Sequence, residues 1–384
     1  MSTTVNHANA GNTSGIKPDA AGVAAVANRA APAKRLGFFT RLLDEVNPQQ
    51  RYRLATEQIL HAEALGFDSA WVAQHHFHEA EGGLPAPLVF LAHVAALTRR
   101  IRLGTGVITL PMELALRVAE DTAVLDLLAQ GRLEVGLGSG GTPTSFPPFG
   151  LQSGERGAVF GANLAILLAA WRGDAIGAGG NRLYPAAPQL AARVWQATFS
   201  VDGGARAGAA GDGLMLSRTQ PRPERTPDLP LDAIQNPIID AYLDALPDGV
   251  EPRILGSRTA FAADDGDQAR RLAEKGLRRQ AENARASGQS LHGDRLEDFI
   301  AAFDVHLGTP GQVLAALRQD TALARVTDLA FQVHSIDPPH AYILRSLELI
   351  ARDVAPGLGW TPPAPSKTDA PVTSTQPFSS QERL

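Results

Sequence analysis

Along residues 35–360, short apolar runs of β type alternate with longer segments whose apolar positions recur at helical spacing. The strand-like runs are 35–40, 67–73, 101–107, 132–137, 193–199, 213–216, 253–263 and 327–334. Between them the helical period covers 50–65, 88–97, 113–128, 156–171, 204–210, 237–246, 264–285, 296–305, 310–318 and 339–354. Gly66 and Gly131 each follow a helical run at the position where a left-handed residue closes the last turn. Strands that alternate with helices need crossover connections, and crossovers make a parallel sheet. Eight such units predict an α/β fold, a (β/α)8 TIM barrel with insertions. A doubly wound sheet is the alternative, but no Gly-x-Gly-x-x-Gly opens a helix after the first strand.

The barrel is predicted to span residues 34–360. Residues 1–33 are rich in Ala, Asn, Gly, Ser and Thr, and 361–384 in Pro, Ser and Thr, so both are expected to be disordered tails. Two stretches exceed what a plain connection needs: the Gly/Pro-rich loop 138–154 and the Pro/Arg-rich excursion 217–236. Both are expected to wall a substrate pocket. Phe146, Pro147, Pro148 and Phe149 suggest a stiff apolar lid.

Composition narrows the chemistry. The chain of 384 residues has no cysteine, which removes disulfides, thiolate metal sites and Cys nucleophiles. A formal charge of −5 without a basic run argues against nucleic acid and anionic membranes as partners. With no run of 18 apolar residues and no clear leader, the expected compartment is the cytoplasm.

A barrel places its site at the carboxyl ends of its strands. That rule singles out Gln74, His75, His76 and His78 after the second strand, and Thr105, Gly106 and Val107 after the third. It also selects Gly138 and Ser139 after the fourth, Ser200, Gly203 and Gly204 after the fifth, Arg218 after the sixth and His334 after the eighth. Three histidines within four positions can cap a strand, bind a metal through His76-x-His78, or act in catalysis. Two glycines around Thr105 let backbone approach a flat ligand. Ser200 is a helix cap before two glycines, a pattern that also makes an anion nest.

These segments, in this order, resemble the bacterial luciferase-like flavin-dependent monooxygenases. Carrying the resemblance are Trp71-Val72-Ala73-Gln74-His75-His76-Phe77, Arg100-Ile101-Arg102-Leu103-Gly104-Thr105-Gly106, Leu125-Asp126-Leu127-Leu128-Ala129-Gln130-Gly131-Arg132-Leu133-Glu134-Val135-Gly136 and Ala209-Ala210-Gly211-Asp212-Gly213. An FMN-dependent subgroup with Gln-His-His-Phe-His and Gly-Ser-Gly-Gly-Thr-Pro is the nearest in pattern. The resemblance implies a monooxygenase that takes reduced FMN from a separate flavin reductase. It would use O2, through a flavin C4a-peroxide, to oxidise a small organic substrate.

In that reading His75 is the catalytic histidine, able to give or take a proton near neutral pH. His76 and Gln74 face the substrate, and Gln74 replaces a frequent glutamate. Thr105, Gly106 and Val107 lie under the isoalloxazine, with a cis peptide expected between Gly106 and Val107. Gly138 and Ser139 also meet the cofactor, Ser139 standing where luciferase has a phosphate-binding arginine. Ser200, Gly203 and Gly204 receive the phosphate; either the two glycine amides suffice, or Arg218, preferred over Arg156, is the replacement cation, or the cofactor differs. A homodimer or higher homo-oligomer is expected, paired through helices 88–97 and 118–128. The alternatives are a deazaflavin-dependent hydride-transfer enzyme, a non-catalytic flavin-binding relative and a metal-dependent barrel.

Overall fold

A computed structural model describes residues 33–363 except 224, 287, 289, 290 and 334–337. The two predicted tails therefore lie almost wholly outside the described residues, as does His334. Among the described residues there are ten strands: β1 (Arg35–Thr40), β2 (Ser69–Val72), β3 (Arg102–Thr105), β4 (Ile108–Thr109), β5 (Leu133–Gly138), β6 (Val194–Ala197), β7 (Gly213–Leu216), β8 (Ile254–Ala262), β9 (Val305–Gly308) and β10 (Asp328–Gln332). All their pairings are parallel. The order runs β10-β1-β2-β3-β5-β6-β7-β8, and β10 pairs back to β8. The sheet is thus closed, which leaves no edge along the barrel. The short β4 continues β3 along β5, and β9 is a side branch on the far end of β8.

The helices are α1 (Pro48–Ala64), α2 (Pro87–Leu97), α3 (Ala115–Leu128), α4 (Arg156–Arg172), α5 (Val201–Ala209), α6 (Leu231–Ala245), α7 (Gly266–Ala286), α8 (Leu296–Ala302), α9 (Pro310–Leu317), α10 (Thr321–Arg325) and α11 (His340–Leu349). Local signals set their ends. Asn47 accepts from the Gln50 amide to start α1, and Thr309 with Gln312 forms a capping box on α9. Gly66 and Gly131 take positive φ (94° and 78°) just past α1 and α3. Lys34 and Trp360 form a parallel bridge, and Trp360 Nε1 donates to Asp68, whose same oxygen accepts from the Leu36 amide. The first strand and the last turn of the body are thereby joined.

Three sequence expectations need correction. Residues 296–305 divide into α8 and β9, because the last of them pair with β8 instead of continuing the helix. Helix α6 begins at Leu231, within the predicted excursion, and runs through Pro237. Helix α5 begins at Val201, three residues before the expected start, since Ser200 caps it.

Inside the barrel, Trp71, Trp195, Met215, Leu255 and Ala330 form a cluster with the half-buried Phe39, Val107 and Ala197 packed against it. Trp71 and Trp195 meet edge to face at 5.6 Å. The indole N–H of Trp195 donates to Glu134, whose other oxygen accepts from Arg102, so the polar tips are satisfied. This filled interior makes the barrel a plug with a floor, and what stands above the floor is the site.

Candidate functional site

The peptide Gly106–Val107 is cis, at the bend between β3 and β4. Gly106 is required by proximity: a Cβ there would lie 2.7 Å from the Phe39 ring. Around it, Phe39, Gly106, Val107 and Ala197 are half-buried while the cluster beneath them is closed. The result is an apolar shelf contributed by β1, the β3–β4 bend and β6. Gly138 is buried beside Val107, and Ser139, half-buried, follows it. Thr105 contributes backbone only, because its hydroxyl donates to Gly136 O at 2.8 Å and accepts from Gly136 N at 2.9 Å. That exchange replaces the ladder bonds where β3 turns away from β5.

At the end of β2, Gln74 is buried and fully engaged. Its amide nitrogen donates to Pro85 O and to Glu113 at 2.6 Å, and its oxygen accepts from the Thr109 amide at 2.7 Å. Gln74 therefore braces β2 against β4, and the structure gives it no free polar atom for a substrate. Burial raises the Glu113 carboxyl above its ordinary range, against the lowering effect of the Gln74 hydrogen bond.

His75 Nδ1 is buried with no hydrogen-bond partner among the described residues. Burial first, and then the charges of Arg41 and Arg218 and neighbouring His76, lower its pKa to about 3. Burial thus favours the neutral imidazole near pH 7. His76 is half-buried, and burial lowers its pKa too. Its ring meets Phe149 at 5.0 Å, and Phe149 also packs on Phe77 at 5.7 Å. Further stitches tie loop 138–154 to loop 75–82: Thr142 donates to Glu81 at 2.6 Å, and Thr144 Oγ1 lies 2.9 Å from His78 Nε2. Phe146 is wholly buried under this loop, so the expected aromatic lid divides into one anchor, Phe146, and one cover, Phe149. His78 is held by Thr144 and His76 by the Phe149 ring, and no set of three His, Asp or Glu suited to a metal occurs among the described residues.

Ser200 caps α5, accepting from the Gly203 amide at 3.1 Å, while Gly204 N donates to Ser200 O. Both glycine amides are thus engaged within the helix. The exposed Val201 and Asp202 amides make no hydrogen bond among the described residues, so these two are the N–H groups open to an anion. Gly204 has another reason to lack a side chain: a Cβ would lie 2.5 Å from the Ile238 carbonyl, where α5 packs on α6.

Arg218 follows β7, and its guanidinium reaches Thr259 on β8 at 3.4 Å. It is near enough to Arg41 and His75 for their charges to act on one another, and its contact with Thr259 places it on the β8 side of the mouth. A cavity of about 1540 Å³ opens there, lined by Arg41, Glu81, Phe199, Arg218, Gln220 and Asp304 among others. Residues 217–223 and 227–230 wall it, as expected of the Pro/Arg-rich excursion. The opposite wall comes from α7 and α8, helices that the sequence did not single out for the site. Arg41 was also missed, although its position directly after β1 obeys the same rim rule that selected its neighbours.

The family model described as luciferase-like monooxygenase matches residues 35–327. Among solved structures, the monooxygenase RslO1 from Streptomyces bottropensis is 26% identical, with a TM-score of 0.68 over 84% of this chain and 99% of that one. The oxygenating constituent of 3,6-diketocamphane monooxygenase from Pseudomonas putida, solved with FMN, is 19% identical, with a TM-score of 0.65 over 84% and 98%. An F420-dependent secondary alcohol dehydrogenase is 17% identical, with a TM-score of 0.63 over 85% and 99%.

Proposed function

The chain belongs to the luciferase-like monooxygenase family, and from that premise we propose that it oxidises a small organic substrate with reduced FMN and O2. The observation that carries this reading is the half-buried shelf of Phe39, Gly106, Val107 and Ala197, with the unpartnered Nδ1 of His75 at the same mouth. A flat tricyclic ring fits such a shelf, because the missing side chain at Gly106 lets it lie on backbone. The phosphate end is assigned to Ser200, Gly203 and Gly204 at the start of α5, where the open amides of Val201 and Asp202 and the helix dipole face an anion. Gly138 and Ser139 border the ring.

Reduced FMN, when bound, supplies the electrons that activate O2, and a separate reductase delivers it. The chain supplies the rest. The plugged barrel below and Phe149 beside His76 limit water at the mouth. His75, held neutral, offers one donor and one acceptor nitrogen to the reacting groups without adding charge. Val89, Leu97, Val124, Leu127 and Leu128 leave apolar side chains exposed on α2 and α3, and this supports pairing of two copies there.

Hydride transfer with a deazaflavin is the second reading, favoured by the barrel shared with the F420-dependent dehydrogenase. Titration of the protein with reduced FMN and with reduced deazaflavin, without oxygen, decides between them. Tighter binding of reduced FMN, with oxygen uptake when a reductase is added, is expected. At least tenfold tighter binding of the deazaflavin would overturn the proposal.

A further inference from the structure

We propose that Arg41, Arg218 and Gln220 form a subsite for an anionic head group of the substrate, a carboxylate, sulfonate or phosphate. The inference rests on the monooxygenase reading only for the word substrate; the anion site itself stands on the geometry. Arg41 ends β1, Arg218 follows β7, and both line the 1540 Å³ cavity together with Gln220. Among the described residues, no carboxylate lies within 4.0 Å of either guanidinium, and neither enters an ion pair. Of the acidic residues on the lining, Asp304 pairs through Oδ1 with Arg222 at 2.5 Å and keeps a buried Oδ2 without a partner among the described residues, and Glu81 accepts from Thr142.

Three further atoms are left over. Among the described residues, Arg41 Nε is buried without a partner, and so are both side-chain polar atoms of Gln220, a residue only 4% exposed. Burying like charges and an amide with nothing to bond is costly, and folded proteins satisfy such groups almost without exception. A ligand with two or three oxygens removes the deficit in one step. Planar guanidinium forks grip an oxyanion in paired hydrogen bonds, and the Gln220 amide adds a neutral donor. Burial and mutual repulsion already depress the Arg218 guanidinium, and Arg41 is lowered by burial to about 10.

The cofactor's phosphate is the other oxyanion available at this mouth. The position of Arg218 favours the substrate: it reaches Thr259 on β8, whereas the Ser200 cap follows β6. A cofactor phosphate held at Ser200 would leave Arg41, Arg218 and Gln220 for a second anion.

The test uses the full chain, its Arg218→Gln and Arg41→Gln variants, and sodium sulfate as the anion probe. Sulfate stabilises proteins generally by exclusion, so the readout is the difference between proteins at equal ionic strength. The unmodified chain should gain a saturable rise in Tm with sulfate, and each variant should need at least tenfold more sulfate for the same rise. FMN and riboflavin affinities should stay within about twofold in both variants. An equal sulfate response in all three proteins would overturn the subsite. So would a loss of tenfold or more in FMN affinity with riboflavin unchanged, because the arginines would then hold the cofactor phosphate. Should the chain bind no flavin at all while the sulfate difference persists, the flavin reading fails and the anion site stands.

Discussion

Gln74 Nε2 donates to Glu113 Oε1 at 2.6 Å, so the residue that ends β2 is fixed by a carboxylate entering α3. The same amide accepts from Thr109 N, making one side chain the joint between three segments around the shelf. A glutamine has both the donor and the acceptor this joint needs; a glutamate lacks the donor.

Gln74→Glu should therefore destabilise the fold by about 1–3 kcal/mol, and more at pH 8 than at pH 6. Two carboxylates at this distance repel and raise each other's pKa. A carboxyl whose folded pKa is raised adds stability at low pH and loses it as pH rises. Urea denaturation at the two pH values checks both the cost and its sign; equal cost at both would contradict the argument.

The depressed pKa of His75 makes a pH prediction of the opposite sense. Unfolded, the imidazole takes its proton near pH 6.5; folded, near 3. Stability from this group is complete above 6.5 and falls as the pH drops toward 3, by at most about 1.4 kcal/mol per unit. His306, lowered to about 4 chiefly by burial, adds to the same slope. His75→Asn should flatten the fall without removing it, and should lower kcat by about 100-fold or more if the imidazole contacts the reacting groups. Oxygen chemistry left intact in this variant would support a non-catalytic relative.

Gly82 packs on His75: a Cβ built there lies 2.5 Å from Nδ1. Gly82→Ala should displace the ring and reduce kcat at least tenfold while Tm falls only a few degrees. A crystal structure of the variant with His75 unmoved would remove the reason for the expected loss.

Ser200→Ala removes the cap of α5 and should cost about 1 kcal/mol. If the phosphate lies there, FMN affinity drops several-fold and riboflavin affinity does not. Equal effects on both ligands would place the phosphate elsewhere.

Away from the mouth, Arg258 is wholly buried and pairs with Asp320 at 2.6 Å, with a second bond to Gln235. Arg258→Met should cost about 3–5 kcal/mol, because Asp320 keeps a buried charge without its partner. Asp320 also caps α10, so the double variant Arg258→Met/Asp320→Asn should recover part of the loss. Chemical denaturation of both proteins measures the difference.

The eight barrel strands were legible in the sequence because each is a short apolar run flanked by turn residues, and burial on both faces makes such runs unmistakable. Gly66 and Gly131 were legible for a local reason as well: a helix end needs positive φ, and glycine supplies it. Strand β9 was not, because Val305-His306-Leu307-Gly308 has no pattern of its own and becomes a strand only by pairing with Thr259–Ala262.

The same division runs through the site. Its histidines, glycines and capping serine stood at strand ends, so sequence order alone placed them at the mouth. Which of their polar atoms are free was decided by tertiary contacts: Gln74 and Thr105 are occupied by neighbouring backbone, while Nδ1 of His75 is left bare. Arg41 and Arg218 come together only because barrel closure folds distant strand ends onto one rim. Local propensity follows from neighbours in the chain, but charge, burial and hydrogen-bond satisfaction depend on neighbours in space, and only the closed barrel defines those.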